Sequence, residues 1–137
     1  MTDQTSVPKN LRGRILIVED NEASARGLTR LLQAEGFEVS AVLNGASALQ
    51  ALSSGPPPDF LLTDMQLPDM DGREVARHAM SLVPPPRIIL VTGWDLEIRP
   101  GDSAMLGIDQ VISKPVNLAS LVSALGTVGR RAAETPE

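Results

Sequence analysis

Three carboxylates stand where strand-like runs stop. Glu19 and Asp20 follow the apolar run Ile15-Leu16-Ile17-Val18, and Asp64 follows Phe60-Leu61-Leu62-Thr63. In open parallel α/β sheets ligands bind outside the carboxyl ends of the strands, so adjacent strands would bring these three acids into one crevice. Two unit charges about 5 Å apart repel by roughly 3 kcal/mol at an effective dielectric near 20. Such a cluster needs a cation or a proton. All-oxygen ligands with room for water suit Mg²⁺ better than zinc, and no histidine or cysteine lies nearby in the sequence. Taken alone, Asp20 reads as a helix cap; Asp64 at a neighbouring strand end is what turns the pair into a candidate site. A complementary cation is also at hand. Of the 12 basic residues only Lys9 and Lys114 are lysine, and Lys114 follows the last strand-like run and precedes Pro115, a bond that can be cis. A compact ammonium there can act as a point charge on a phosphoryl oxygen. Thr92 offers a hydroxyl at the end of the fourth run, and Gly93 after it permits close backbone approach.

The elements that must position these groups follow from pattern. Short apolar runs rich in β-branched residues alternate with stretches of helical period, which argues for βαβ units and a parallel sheet. Strands are expected over Arg14 to Val18, Glu38 to Val42, Phe60 to Thr63, Ile88 to Thr92 and Gln110 to Ser113. A first helix is expected from Asn21 or Glu22, with Leu28, Leu31 and Leu32 on one face and Gly36 closing it. A second is expected over Ala46 to Leu52 and a third over Gly72 to Met80, with Val75, Ala76 and Ala79 facing in. The final helix is the clearest: Asn117 is its N-cap, and Leu118, Leu121, Val122 and Leu125 form its apolar stripe. Between Trp94 and Gly107, Pro100-Gly101 breaks any helix or confines it to Asp102 to Leu106. The proline triplets Pro56 to Pro58 and Pro84 to Pro86 precede strands and read as stiff connectors at the opposite, amino edge of the sheet. His78 lies on the third helix, away from the strand ends, and Asp69 and Asp71 read as turn residues with Pro68 and Gly72.

Composition bounds the function. A chain of 137 residues fits one domain, and 42% hydrophobic with 21% charged residues is globular. The expected layout is a flexible arm over 1–12, one folded domain over 13–128 and a flexible tail over 129–137. With no cysteine, disulfides, thiolate metal sites and cysteine nucleophiles are excluded. Seventeen acidic residues give a net charge of −5, the wrong sign for holding a nucleic-acid backbone. The early apolar run is too short for a signal or membrane segment, so a cytoplasmic protein with no membrane partner is expected.

The ordered motifs Ile15-Leu16-Ile17-Val18-Glu19-Asp20-Asn21, Leu61-Leu62-Thr63-Asp64-Met65 with Leu67-Pro68-Asp69-Met70-Asp71-Gly72, Val91-Thr92-Gly93 and Ser113-Lys114-Pro115 resemble the receiver domain of two-component response regulators. The resemblance covers about residues 13 to 126. It implies a flavodoxin-like, doubly wound five-stranded parallel sheet of order 2-1-3-4-5 with helices on both faces. It implies that Asp64 is the phosphoacceptor, receiving a phosphoryl group from a sensor histidine kinase or a histidine phosphotransfer protein. Asp20, Asp64 and the backbone carbonyl of Gln66 would bind Mg²⁺, Glu19 would reach it through water, and Thr92 and Lys114 would contact the phosphoryl oxygens. Such a protein is not a stand-alone enzyme, although self-phosphorylation on Asp64 and slow autodephosphorylation are expected of it. Only 22 residues follow Pro115, so no effector domain is expected.

The sequence departs from the family pattern at Val111 and in its broken fourth helix, and it carries a bulky Trp94 near the site. Three residues before Lys114 the family usually has an aromatic residue, and here stands Val111. Trp94, two after Thr92, would shield an acyl phosphate there from water. Two rival readings remain: a receiver that binds partners without being phosphorylated, and a Mg²⁺-dependent phosphohydrolase with an aspartyl nucleophile. The second would need an acid two residues after Asp64, where this chain has Gln66.

Overall fold

The computed structural model describes residues 12–93 and 107–128. The expectations for Trp94, for the helix between Asp102 and Leu106, for the tail over 129–137 and for all but the last residue of the arm lie outside those residues.

Five parallel strands form one sheet, β1 (Gly13–Val18), β2 (Phe37–Val42), β3 (Phe60–Asp64), β4 (Arg87–Thr92) and β5 (Gln110–Ser113), in the order β2-β1-β3-β4-β5. The chain reverses direction along the sheet between β1 and β3, which leaves a crevice at their carboxyl ends. Four described helices connect or follow the strands: α1 (Glu22–Ala34), α2 (Gly45–Ser53), α3 (Gly72–Met80) and α4 (Leu118–Val128).

The central strands carry apolar residues at successive positions because both of their faces are covered. Alternation then sorts them. Ile15, Ile17, Phe60, Leu62, Ile89 and Val91 point to one face, where Leu32 of α1 and Leu121 and Leu125 of α4 pack against them. Leu16, Val18, Leu61, Ile88 and Leu90 point to the other, under Ala48 and Leu52 of α2 and Val75, Ala76 and Ala79 of α3. Burying each large aliphatic side chain contributes about 1.5–3 kcal/mol. Register is thereby fixed, since a one-residue slip would exchange the two cores. Phe37 and Phe60 meet edge to face with ring centroids 5.9 Å apart, beneath the Arg12 guanidinium, which lies 4.8 Å above the Phe37 ring.

Each helix starts on a polar side chain that accepts a hydrogen bond from an otherwise unmatched backbone amide. Asn21 accepts from Ser24 N–H (2.9 Å), Asn44 from Ser47 N–H (2.8 Å), Asp71 from Arg73 N–H (2.7 Å) and Asn117 from Ser120 N–H (3.0 Å). All four caps stand at the carboxyl edge of the sheet, so the positive ends of four helices face the side where the acids collect. No described helix is long and apolar enough to cross a membrane.

Candidate phosphoryl and cation site

The pairing of β1 with β3 sets the geometry. Val18 is the register partner of Thr63, so Glu19 and Asp20 emerge beside Asp64. One carboxylate oxygen from each of Glu19, Asp20 and Asp64 lies within 4.8 Å of the other two. Glu19 and Asp64 are buried, at 6% and 5% exposure, whereas Asp20 is open to solvent. Glu19 is held by its own main chain: its amide donates to Val42 C=O (3.0 Å) and its carboxylate accepts from Asn21 N–H (2.9 Å).

Lys114 supplies the counter-charge. Its amide donates to Thr92 C=O (2.8 Å), which extends the β4–β5 ladder and directs the side chain along the carboxyl edge; the Lys114–Pro115 bond is cis. The ammonium lies 2.8 Å from Asp64 Oδ2 and 3.7 Å from Glu19 Oε1. Thr92 follows Val91, the register partner of Asp64, and its buried hydroxyl donates to Gly93 C=O (2.9 Å). The sheet therefore gathers Glu19, Asp20, Asp64 and Lys114 directly, and sets Thr92 one strand over.

Electrostatics follow from this crowding. Burial pushes the Glu19 carboxyl up, and the charges of Asp64 and Asp20 add to that, against the Asn21 amide and Lys114; the net effect is a raised pKa. Burial pulls the Lys114 ammonium down, but the hydrogen bond and charge of Asp64, with help from Glu19 and Asp20, outweigh it and raise its pKa. Among the described residues, three acids share one ammonium. A cluster of carboxylate oxygens on a half-open edge, without nitrogen or sulfur donors, suits a hard cation that keeps part of its water shell, and Mg²⁺ fits that description.

Gln66 is exposed and pairs with Asp71 in an isolated antiparallel bridge. The two bonds that flank this bridge run from Gly72 N–H to Met65 C=O (2.6 Å) and from Leu67 N–H to Met70 C=O (3.2 Å). Gln66's own carbonyl takes no part in either, as expected in a non-hydrogen-bonded antiparallel pair. Gly72 lets α3 begin this close to β3: a Cβ there would collide with the Asp64 carbonyl. His78 sits toward the far end of α3 and meets the Ser53 hydroxyl of α2 (3.2 Å), away from the strand ends. Val111 is half-buried and packs on the α2/α3 side of the core. Asp69 and Asp71 do more than turn the chain. Asp71 caps α3 and pairs with Arg73 (2.9 Å), and Asp69 reaches the start of α2, a contact that the spacing of turn residues does not signal.

Comparison with known proteins agrees with this arrangement. Residues 15–126 match the family described as response regulator receiver domain. The chain is 38% identical over 110 residues to the response regulator receiver protein CpdR of Brucella abortus, covering 80% of this chain and 91% of that protein. It is 38% identical over 125 residues to the sensory transduction protein RegX3 of Mycolicibacterium smegmatis, and 33% identical over 135 residues to hybrid signal transduction histidine kinase L of Dictyostelium discoideum. Those matches take in 90% and 93% of this chain but span only 53% and 8% of the two relatives. Among solved structures, a CheY-like response regulator receiver domain protein from Methanospirillum hungatei superposes with a TM-score of 0.78 at 32% identity, covering 86% of this chain and 93% of the other. The receiver domain of a signal transduction histidine kinase from Syntrophus aciditrophicus gives a TM-score of 0.74 at 30% identity, covering 91% and 95%. With its motifs in order along a sheet of this topology, the chain belongs to the response regulator receiver domain family of two-component signalling.

Proposed function

We propose that this chain is the phosphoacceptor of a two-component or phosphorelay system, taking a phosphoryl group from a phosphohistidine onto Asp64 and changing its partner binding as a result. The observation that carries the reading is the 2.8 Å contact of Lys114 with Asp64, at the rim of a cluster of three carboxylates. The donor is a sensor histidine kinase or a histidine phosphotransfer protein, met in the cytoplasm.

In the transfer, an Asp64 carboxylate oxygen bonds to phosphorus as the bond from phosphorus to the donor's ring nitrogen breaks. The bonding electron pair leaves with that nitrogen, and the donor, protonated on its other ring nitrogen, departs as neutral imidazole. Asp20, Asp64 and the Gln66 carbonyl are the groups to hold Mg²⁺, with Glu19 acting through water. The bound ion supplies positive charge against the phosphoryl oxygens. Lys114 exchanges its Asp64 oxygen for a phosphoryl oxygen, and the Thr92 hydroxyl turns to donate to another. The acyl phosphate adds about −1.5 to −2 charges at one point, and the movements of Lys114 and Thr92 toward it shift the population of a binding surface. Slow hydrolysis then resets the chain, which acts as a switch rather than as a stand-alone enzyme.

A phosphotransfer profile tests this. Candidate histidine kinases carrying labelled phosphohistidine are mixed with the chain, and the label is expected to pass from a cognate donor to the wild type in Mg²⁺. Neither Asp64→Asn nor the wild type in EDTA is expected to take it. Label acquired equally by Asp64→Asn would overturn the assignment.

A further inference from the structure

The loop between β3 and α3 carries Gln66; Met65, Leu67 and Met70 seat it on the α2/α3 side of the core, and hydrogen bonds fix its ends. At its start the Met65 amide donates to Val91 C=O (2.8 Å), and at its end Asp71 caps α3. Its tip is held from outside. The Asp69 carboxylate crosses to the first turn of α2, where one oxygen accepts from Gly45 N–H and the other from Ala46 N–H, both at 2.8 Å. These amides are among those a helix leaves unmatched at its start, and the negative charge meets the positive end of the helix dipole. The two bonds lower the Asp69 pKa. Met70 lies so tightly over Gly45 that any Cβ at position 45 would overlap its side chain.

Helix α2 already has an N-cap in Asn44. The second anchor comes from 24 residues farther along the chain, so its distinctive effect falls on the loop rather than on the helix. Within the loop, the Leu67 to Met70 bond and the Gln66 to Asp71 bridge make a small closed unit. Movement of Asp69 is therefore passed to Gln66, three residues away. Resting on the function proposed above, we infer that Asp69 is a positioning residue for the cation site: by tying the loop tip to α2, it fixes the loop in the arrangement in which the Gln66 carbonyl can serve as a ligand. The coupling also runs the other way, because whatever steadies one end of the tie steadies the other.

The test uses the full chain and Mg²⁺ alone, titrated by calorimetry. Asp69→Ala should raise the Mg²⁺ dissociation constant about tenfold, the low end of what loss of an outer-sphere partner does to metal sites. Asp69→Asn, with one acceptor oxygen left for two amides, should fall between. Asn44→Ala removes a cap from the same helix without touching the loop, so it should lower the melting temperature about as much as Asp69→Ala while leaving Mg²⁺ affinity unchanged. Equal affinities in Asp69→Ala and the wild type, or equal losses in Asp69→Ala and Asn44→Ala, would overturn the inference. Should Asp69→Ala not fold, the wild type decides. Saturating Mg²⁺ should slow amide exchange at Gly45 and Ala46, and unchanged exchange there would overturn it too. Failure of the underlying reading looks different: the wild type would bind no Mg²⁺, or Asp20→Asn would bind it equally well, and the inference would fall with it.

Discussion

The two edges of one sheet treat the same residue types in opposite ways. At the amino edge, Asp59 accepts the Arg14 amide (2.9 Å), and the Arg14 guanidinium donates to Pro57 C=O (3.0 Å). Asp109 accepts the Ile88 amide (2.8 Å) and the Arg87 guanidinium (3.4 Å), with both side chains under 20% exposed. Asp59 and Asp109 each accept an adjacent strand's amide, so their charges serve strand alignment. At the carboxyl edge, Glu19, Asp20 and Asp64 crowd together, and among the described residues Lys114 alone forms ion pairs with that cluster. Charge that is neutralised locally holds a fold together. Charge left in excess costs stability and is explained by what it can bind.

The contrast can be broken first at the amino edge. Asp109→Ala removes one partner of a mostly buried ion pair and an acceptor for Ile88, so it should destabilise the protein by about 3 kcal/mol in urea unfolding. Mg²⁺ affinity should stay the same in that variant. A loss of metal binding there would mean that the edges are not independent.

At the carboxyl edge the sign reverses. Asp20→Asn lowers the repulsion among three carboxylates and should stabilise the chain in EDTA by about 1 kcal/mol. That is less than the unscreened Coulomb energy of the cluster, because Asp20 faces water. The same variant should lose the rise in melting temperature that Mg²⁺ gives the wild type. Destabilisation in EDTA would place Asp20 with the matched acids of the other edge.

Lys114 separates charge balance from ligation. Without its ammonium the cluster is more negative, so Lys114→Ala should bind Mg²⁺ about threefold more tightly rather than more weakly. Weaker binding would show that the lysine orders the ligands instead of competing with the ion.

The smallest effect tests acids of the carboxyl edge that do have partners. Asp71 is held below its ordinary value of 3.8, chiefly by its hydrogen bond with the Arg73 side chain. A depressed folded pKa contributes stability that is present above the unfolded value and lost as pH falls through the folded one. Asp71→Asn retains a cap but no charge, so the wild type should be more stable by about 0.5 kcal/mol at neutral pH, after solvent screening. The difference should shrink below about pH 4. A difference independent of pH would assign it to shape rather than charge.

The sequence carried much of this because its signals were local. Short apolar runs such as Ile15 to Val18 and Phe60 to Leu62 marked strands of a parallel sheet, and Asn117 with its leucine stripe marked the start of α4. Glu19, Asp20, Asp64 and Lys114 were readable because strand ends in a parallel sheet converge on one edge, so position along the chain translates into position in space. Asp69 was not readable as more than a turn residue. Its partners are backbone amides of Gly45 and Ala46, and an amide has no side-chain identity to betray it. The Ser53 to His78 contact was hidden for a related reason, since it depends on how α2 and α3 lie against each other rather than on either helix's own pattern. The strand starts Gly13, Phe37 and Arg87 each lie one residue before the expected bound, where ladder bonds rather than hydropathy set the limit.

The central claim is that the excess acid at the carboxyl edge exists to receive a phosphoryl group with the aid of a divalent cation. Intact-mass measurement after incubation with acetyl phosphate tests it most directly. Wild type in Mg²⁺ should gain the mass of one phosphoryl group, while wild type in EDTA and Asp64→Asn in Mg²⁺ should gain none. An equal gain in EDTA, or in Asp64→Asn, would contradict the account.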